Sequence, residues 1–487
     1  MIERGLLLSA SSSTVSANLT SQLIVLSRYL LPFVFGLVLW YVPVPEGMED
    51  RGWQILTIFL STLLGVMVMP LPMSAVTFMG VAALGLTHTL TLKQALAGYA
   101  EPITWLIMLA FFISHGFIKT GLGLRMAYCF MRLMGKKTVT LGYGLALTDV
   151  ILAPAMPSIT ARAGAVVAPI MKSIAEVYDS HPGGTAGRMG TFLTLTVFHA
   201  NAISSGMFLT AMAGNPLVVK LAGDQGVDIS WGTWALGAIV PSLVCLLLMP
   251  LLLAKIAPPS IRETPKAVTM AANKLTELGS LKRDEWIMGA TFVALLVLWV
   301  SGRYIGVSPT LVAMVGVCVL LLSGVLNWDE VKGNKGAWDT MIWFGAFVTM
   351  AHYLSEFGVV SALSQNISPW FQGLPSWLGV SAVIVVYYFA HYFFAATTAQ
   401  ISAMYASFLF ILLAMGVPAL GAALLLAYIS NICAVVTHYG NGPAPILYGS
   451  GYVPLKVWWR AGFIMSLVYL GVWLTLGNAW LNFLGYL

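Results

Sequence analysis

The stretch that decides the fold is Ser158-Ile159-Thr160-Ala161, a short polar interruption in a long apolar run, together with its counterpart Ala396-Thr397-Thr398-Ala399. Their threonines Thr160 and Thr398 are 238 positions apart. Other pairs recur at nearly the same distance, namely Thr104 with Thr340 and Gly121 with Gly358. This spacing indicates a duplicated chain. Duplication with interrupted hydrophobic segments at matching positions is typical of secondary transporters, whose site lies between the repeats.

Composition places the chain in a membrane. Of its 487 residues, 59% are hydrophobic and only 9% are charged, with a mean hydropathy of +0.87, whereas soluble domains carry about 25% charged residues. A membrane-spanning helix needs about 20 mostly apolar residues. The apolar runs that meet this need are 29–45, 53–69, 71–90, 102–118, 189–221, 229–254, 286–303, 308–326, 339–358, 419–450 and 460–483.

Two further apolar runs, 138–177 and 376–415, are too long for one span and contain the polar interruptions. Non-helical backbone at membrane depth is tolerated only where protein or a water-filled cavity satisfies its polar groups. We therefore predict two re-entrant hairpins. The expected fold is an all-α polytopic membrane protein with about 11 transmembrane helices and these two hairpins.

The basic residues indicate how the chain is oriented. The stretch 119–137 carries five Lys or Arg and no acid, and the linker 257–285 is also basic, so both should be cytoplasmic by the positive-inside bias. The N-terminal extension, 1–28, is then cytoplasmic as well, and the C-terminus lies outside. The first repeat, 29–256, and the second repeat, 286–487, consequently have opposite topology. The net charge of +6 is thus explained by basic residues in loops that orient the chain in the membrane. We therefore expect no nucleic-acid partner.

The interruptions carry groups that suit a carboxylate. The helix that follows each one presents free backbone N–H groups and the positive end of its dipole, which stabilise an anion. Ser158, Thr160, Thr397 and Thr398 add hydroxyl donors. The alternative is that these hydroxyls bond to the preceding helical turn, as Ser and Thr often do in membrane helices.

A second matched pair of segments, Thr210–Pro216 and Thr437–Pro443, is rich in Gly, Asn and Pro. We interpret both as unwound helix centres. Carbonyl oxygens exposed at such breaks coordinate Na⁺ in transporters, with Asn and Thr side chains completing the shell. Glycine and proline also occur in unbroken membrane helices, so a purely structural role remains the alternative.

The run Ala153-Pro154-Ala155-Met156-Pro157-Ser158-Ile159-Thr160-Ala161-Arg162-Ala163-Gly164 resembles the hairpin motif A-P-x-x-P-S-N-T-A-R-x-G of the divalent anion:sodium symporter (DASS) family. It is most similar to the branch with the bacterial citrate/succinate and tartrate/succinate antiporters and the plastid 2-oxoglutarate/malate translocators. The resemblance continues through Ser204–Thr210, His391–Ala395 and Thr437–Pro443, and so covers nearly the whole chain.

The resemblance implies a homodimer in a cell membrane, here the bacterial inner membrane, which carries a di- or tricarboxylate by an elevator-like movement. Ile159 replaces the family's tip asparagine, and an isoleucine side chain offers no oxygen to Na⁺. This departure favours exchange of dicarboxylates over sodium-coupled symport, which stays the alternative. The candidate substrate-binding residues are Ser158, Ile159, Thr160, Ala396, Thr397, Thr398, Arg162 and His438. The candidate sodium ligands are Ser158, Gly206, Ala213, Gly214, Thr398, Gly440 and Asn441.

Two of these residues have competing interpretations. A buried arginine must be paired or face a polar cavity, so Arg162 is expected either to contact the anionic substrate or to pair with Asp149. His438 is either a substrate contact or a hydrogen-bonded packing residue.

Other functional classes fit less well. The chain lacks the His-Glu-x-x-His pattern and the paired aspartates of intramembrane enzymes, so we expect no enzymatic activity. An inorganic ion antiporter or channel remains a rival, although proton-coupled exchangers usually need intramembrane carboxylates.

Overall fold

The structure is a computed structural model that describes residues 25–45, 47–367 and 376–487. Over this part of the chain, regular structure is helical apart from one isolated bridge between Lys137 and Glu263. Eight helical segments in these residues are long and apolar enough to cross a membrane, and four shorter apolar helices accompany them. The predicted all-α membrane class is confirmed. Most of the predicted extension 1–28 lies outside the described residues, and the first helix begins at Val25.

The chain divides into two compact units. The first unit comprises Met1–Tyr99 and Ile342–Ala362, and the second comprises Ala100–Met341 and Leu363–Leu487. The helices that contribute to the first unit are α1 (Val25–Trp40), α2 (Asp50–Val68), α3 (Met73–Leu86), α4 (Leu92–Ala95), α5 (Ala97–Ala100), α17 (Lys335–Glu356) and α18 (Val359–Ile367).

The second unit contains both polar interruptions and both predicted unwound segments. Its helices before α17 are α6 (Pro102–Thr120), α7 (Leu122–Met134), α8 (Thr138–Leu152), α9 (Ala168–Val177), α10 (Gly190–Met207), α11 (Gly214–Gly223), α12 (Trp231–Ile256), α13 (Pro265–Leu278), α14 (Arg283–Ile305), α15 (Pro309–Leu322) and α16 (Trp328–Gly333). Those after α18 are α19 (Ser376–Phe389), α20 (Thr397–Gln400), α21 (Ala406–Ala414), α22 (Ala419–Ile432), α23 (Pro443–Gly449), α24 (Leu455–Val472) and α25 (Asn478–Phe483).

A repeated glycine ends corresponding helices in the two halves of the sequence. Gly121 follows α6 with a φ of 77°, and Gly358 follows α17 with a φ of 72°. Left-handed backbone of this kind costs glycine little, because it has no Cβ, and it commonly terminates helices. The two glycines paired by sequence spacing therefore have the same left-handed backbone conformation.

Two helices form the centre of the second unit. All residues of α10 are buried, as are nearly all residues of α22, and the two helices pack together. Because every side of α10 is buried, this helix is surrounded by other parts of the protein. The polar residues on these buried helices, such as Asn201 and Asn431, consequently need partners inside the protein.

The linker predicted at 257–285 contains α13. This helix packs along α7, and Ala267 and Ala271 on it are fully buried. The small alanines allow close approach, while the charged residues on the same helix face outward. The polar linker is thus folded against the unit.

Candidate substrate-binding site

The first interruption lies between α8 and α9. After α8 the chain makes a 3₁₀ turn, Ala153–Ala155, runs without helical structure over 156–158, and becomes helical again at Ile159. Proline removes a helix donor, and Pro154 and Pro157 lie where the helix stops. The Ser158 hydroxyl accepts a hydrogen bond from the Ala161 N–H at 3.2 Å and so caps the new helix. A π-helical segment, Ala161–Val167, leads into α9.

The second interruption has the same order of elements. Helix α19 is followed by a 3₁₀ segment, Ala390–Phe393, by extended backbone that includes Ala396, and then by α20. A π-helical segment, Ile401–Tyr405, again follows the restart. Ala396 stands where Ser158 stands in the first interruption and provides no side-chain cap. Hereafter 156–160 is the first tip and 394–398 is the second tip.

Both predicted unwound segments are breaks between helices. The first break separates α10 from α11 and contains extended residues Phe208 and Met212. The second break follows α22 and a 3₁₀ turn, with extended backbone at Thr437, and ends where α23 begins. Backbone polar groups at such breaks lose their helical partners, so each break must be held by other groups.

Each interruption is bonded to the break of its own half by residues that flank its tip. Before the first tip, the carbonyl of Pro154 accepts a hydrogen bond from the Thr210 hydroxyl at 2.7 Å. Beside the second tip, the nitrogens of the His391 ring lie 2.7 Å from Gln400 Oε1 and 2.9 Å from the carbonyl oxygen of Gly440. These polar contacts fix tip and break as one local framework in each half.

Each tip also contacts the break of the other half. The space that a side chain at Gly442 would occupy is filled by the Thr160 hydroxyl, and Thr398 lies against Gly214. Within the described residues, neither the Thr160 nor the Thr398 hydroxyl has a hydrogen-bond partner, and both side chains are half-buried. Two unpaired hydroxyls and two helix starts are therefore present where the halves meet, which is an arrangement that suits an anion with two carboxylates.

Arg162 braces the first tip. Its side chain is fully buried and forms an ion pair with Asp149 at 3.0 Å. The same guanidinium donates to the carbonyls of Met156 at 2.7 Å and Ala211 at 2.8 Å, and to the Ser204 hydroxyl at 3.1 Å. Pairing with Asp149 is one of the two alternatives that the sequence predicted for Arg162; the other was contact with the substrate. In this structure, the planar guanidinium links the first tip to the first break.

Comparison with known proteins gives the family. Residues 24–487 match the model of the family described as "Sodium:sulfate symporter transmembrane region". The chain belongs to this family. This result confirms the relationship predicted from the hairpin motif. It also excludes the enzyme class, since this is a family of membrane transporters.

Several relatives of this transporter are full-length matches. It is 47% identical over 460 residues to the "Putative malate transporter YflS" of Bacillus subtilis, covering 94% of this chain and 96% of the relative. It is 45% identical over 485 residues to "Dicarboxylate transporter 1, chloroplastic" of Arabidopsis thaliana, covering 98% and 87%. The solved structure of the Alcanivorax borkumensis YdaH transporter is similar in fold, with a TM-score of 0.54, 14% identity, and coverage of 96% and 98%.

The candidate sodium ligands of this transporter already carry protein donors in several cases. The carbonyl of Gly206 accepts from the Trp234 indole N–H at 2.9 Å, and Asn441 Oδ1 accepts from the Ala444 N–H at 3.0 Å. The carbonyl of Gly440 faces His391, and the Ser158 hydroxyl caps Ala161. Ala213 and Gly214 lie at the first break and Thr398 at the second tip.

His438 lies at the second break among aromatic rings. Its ring centroid is 4.7 Å from that of Tyr448 and 6.2 Å from that of Trp459. The side chain is half-buried, and its buried Nδ1 atom has no hydrogen-bond partner among the residues that the structure describes. A role for His438 in binding substrate stays a prediction.

Sequence reasoning missed the amide pair that joins the two breaks. The Asn431 side chain donates to Asn215 Oδ1 at 2.8 Å, and Asn215 Nδ2 donates to the carbonyls of Ser205 at 2.7 Å and Phe208 at 3.0 Å. Polar residues inside apolar helices tend to be functional or paired, and this signal was available for Asn431. Its partner, however, is 216 positions away and could not be inferred from spacing.

Replacing Asn215 with leucine should lower the free energy of unfolding by about 2–6 kcal/mol, because the carbonyls of Ser205 and Phe208 lose their donor at about 1–3 kcal/mol each. Chemical unfolding in detergent, followed by tryptophan fluorescence, measures this loss. Asn478→Leu is the matched control, since the side-chain amide of Asn478 donates to the carbonyl of Leu474, one helical turn earlier in the chain. Equal stability of the two variants would show that the amide pair does not hold the first break.

Proposed function

We propose that this protein exchanges dicarboxylates across a membrane, and that the substrate binds between the two tips. The observation that carries the proposal is the crossed contact of Thr160 with Gly442 and of Thr398 with Gly214. It brings free hydroxyls and helix N-termini from both halves to one region. The relatives named as malate and dicarboxylate transporters supply the substrate class.

The substrate site would consist of Ser158, Ile159 and Thr160 from the first tip and Ala396, Thr397 and Thr398 from the second. Ile159 fits this role through its backbone, because the first N–H groups of a helix are free donors whatever the side chain. The isoleucine side chain would then pack against the carbon skeleton of the substrate. Arg162 would not contact the substrate but would hold the backbone of the first tip in position.

The occupied carbonyls support exchange over sodium coupling. Arg162 donates to the carbonyls of Met156 and Ala211, and Trp234 donates to that of Gly206. These oxygens would otherwise be available to Na⁺, which takes oxygen ligands. In an exchanger, a second substrate anion occupies the site on the return step, so that Na⁺ is not required.

Sodium-coupled symport is the second candidate. It is favoured by the family description, and a carbonyl oxygen has two lone pairs, so one donor does not fill it. An inorganic ion antiporter is disfavoured by the contacts of Asp149, a buried acid within the first hairpin. Its carboxylate is engaged by Arg162, by Asn201 at 3.0 Å and by the Ser204 hydroxyl, so it is poorly suited to carry a proton or cation.

The test is uptake of radiolabelled malate and succinate into proteoliposomes, with and without internal dicarboxylate and with and without a sodium gradient. Exchange predicts uptake only into preloaded vesicles, independent of Na⁺. Uptake into empty vesicles driven by Na⁺ would establish symport instead. Absence of uptake for malate, succinate, 2-oxoglutarate, tartrate and citrate would refute carboxylate transport.

Thr160→Ala and Thr398→Ala should each raise the KM for exchange about 5- to 15-fold. Each variant loses one hydrogen bond to a charged group, which contributes about 1.5–3 kcal/mol. A water molecule in place of the lost hydroxyl recovers part of this energy. The folded protein should be retained, as judged by size exclusion and thermal unfolding. Thr475→Ala is the control, because the Thr475 hydroxyl is exposed and bonds to its own helix. Unchanged KM values for both tip variants would refute the site assignment.

We also propose the membrane arrangement that the sequence predicts: a homodimer in the bacterial inner membrane, inverted repeats at 29–256 and 286–487, and elevator-like movement. The linker 257–285 would be cytoplasmic. A membrane-impermeant thiol reagent applied to intact cells should therefore spare Lys266→Cys and label Leu487→Cys. The reverse labelling pattern would overturn the orientation.

A further inference from the structure

Two loops that are distant in sequence are joined at one end of the second unit. The Thr138 N–H donates to the carbonyl of Arg262 at 2.9 Å, and the Thr264 N–H donates to that of Lys136 at 2.8 Å. The threonine hydroxyls reinforce the contact, since Thr138 donates to Ile261 at 2.6 Å and Thr264 donates to Gly135 at 2.7 Å. Four hydrogen bonds thus hold the start of α8 against the segment before α13.

This junction gathers positive charge. The exposed basic residues on the joined segments, at the start of α13 and on the last turn of α7, here called the basic surface, are Arg132, Lys136, Lys137, Arg262 and Lys266. All five are exposed. Among the described residues, none of the five forms an ion pair with a carboxylate, and Glu263 is the one acidic residue within the joined segments. Five like charges held together by a fixed backbone, with one opposing charge, create a strong local positive potential.

The basic surface lies where apolar helices end. Helix α8 opens the candidate span Thr138–Ala155, and α12 closes the candidate span Trp231–Ile256 shortly before the joined segment. Leu133, next to Arg132, is 73% exposed. Cations at the ends of membrane-spanning helices, beside an exposed apolar side chain, are positioned at the level of lipid headgroups.

We propose that the basic surface binds the headgroups of anionic phospholipids in the adjacent leaflet. Juxtamembrane Lys and Arg are each attracted to anionic lipid by about 1 kcal/mol near the surface. Lipid is the favoured occupant over a soluble anion because the exposed Leu133 offers contact to an acyl chain. A lipid bound here bridges the start of the first hairpin arm, α8, and the segment before α13. This binding is independent of the substrate site.

The test compares binding of phosphatidylglycerol and phosphatidylcholine to the purified full-length protein by native mass spectrometry. The charge-neutral variant is Lys136→Gln/Lys137→Gln/Arg262→Gln, which leaves the four hydrogen bonds of the junction intact. The control variant, Lys93→Gln/Lys335→Gln/Lys456→Gln, removes three exposed cations elsewhere. Wild type and control should prefer phosphatidylglycerol. In the neutral variant, the preference for phosphatidylglycerol should fall about 100-fold, because each of the three removed charges contributes about fivefold.

Two further measurements make the result decisive. The wild-type preference should weaken as salt rises from low to physiological ionic strength, because exposed charges are screened. Glycerol phosphate, the same headgroup without acyl chains, should fail to displace phosphatidylglycerol at millimolar concentration. Equal lipid preference in the neutral and control variants would overturn the proposal, and displacement by glycerol phosphate would assign the surface to a soluble phosphate ester. Matching thermal unfolding of all three proteins excludes misfolding as the cause.

Discussion

Replacing Arg162 with methionine is expected to abolish dicarboxylate exchange and to lower the free energy of unfolding by about 3–5 kcal/mol. The substitution leaves Asp149, which is 1% exposed, as a buried charge without its ion-pair partner. It also removes the donors of the Met156 and Ala211 carbonyls, so the first tip loses its attachment to the first break. Exchange in proteoliposomes and chemical unfolding in detergent measure the two losses.

A double variant separates the effect of the unpaired Asp149 charge from the loss of the hydrogen bonds that Arg162 donates to the two carbonyls. In Arg162→Met/Asp149→Leu no unpaired charge is left, and part of the stability should return. Exchange should remain absent, because the two carbonyls still lack donors. Arg188→Met is the matched control, since the Arg188 side chain is 42% exposed and should tolerate the change. Exchange at the wild-type rate by Arg162→Met would mean that the first tip is positioned without this residue.

Gly442→Ala should reduce exchange about tenfold or more by a purely steric effect. Gly442 has a φ of −59° and a ψ of −40°, which alanine adopts without strain. Its new methyl group would overlap the Thr160 hydroxyl, and overpacking of this kind costs about 1–3 kcal/mol. The displaced threonine would then misplace a substrate donor, so initial rates of exchange should fall while the protein stays folded.

The same contact allows a rescue experiment. Thr160→Ser keeps the hydroxyl but lacks the methyl branch, so its Oγ can rotate away from the new methyl group. Exchange by Gly442→Ala/Thr160→Ser should therefore exceed that of Gly442→Ala alone. Gly449→Ala is the control on the same helix, because a methyl group there meets open space. If Gly442→Ala and Gly449→Ala exchange equally well, the Thr160–Gly442 contact has no role in transport.

Local sequence information was sufficient for the class of protein and for the position of the interruptions. Apolar runs of fixed length predict membrane helices because the bilayer thickness is fixed. Proline and glycine mark helix ends through their own backbone limits, as at Pro157 and Gly121. The hairpin motif around Ser158 was enough to indicate the family, and the family match confirms it.

Sequence reasoning named Asp149 as one of two candidate partners of Arg162, but it did not find the other partners of the polar residues. Arg162 had two candidate partners, and only the folded chain places it on Asp149, Met156 and Ala211. The Asn215–Asn431 pair also had no signature in the spacing. A polar side chain in an apolar helix needs a hydrogen-bond partner, but the sequence does not identify that partner.

The sequence by itself thus determined that this is a membrane protein of this family, with polar tips and broken helices at positions that recur in its two halves. The tertiary structure alone decided that Thr160 meets Gly442, that Thr398 meets Gly214, and that the basic surface is assembled from two loops. Helix formation and interruption depend on residues a few positions apart, so they can be predicted from short stretches of sequence. Contacts between segments more than 100 positions apart depend on how whole helices pack, and this packing is set by the shapes of many side chains at once.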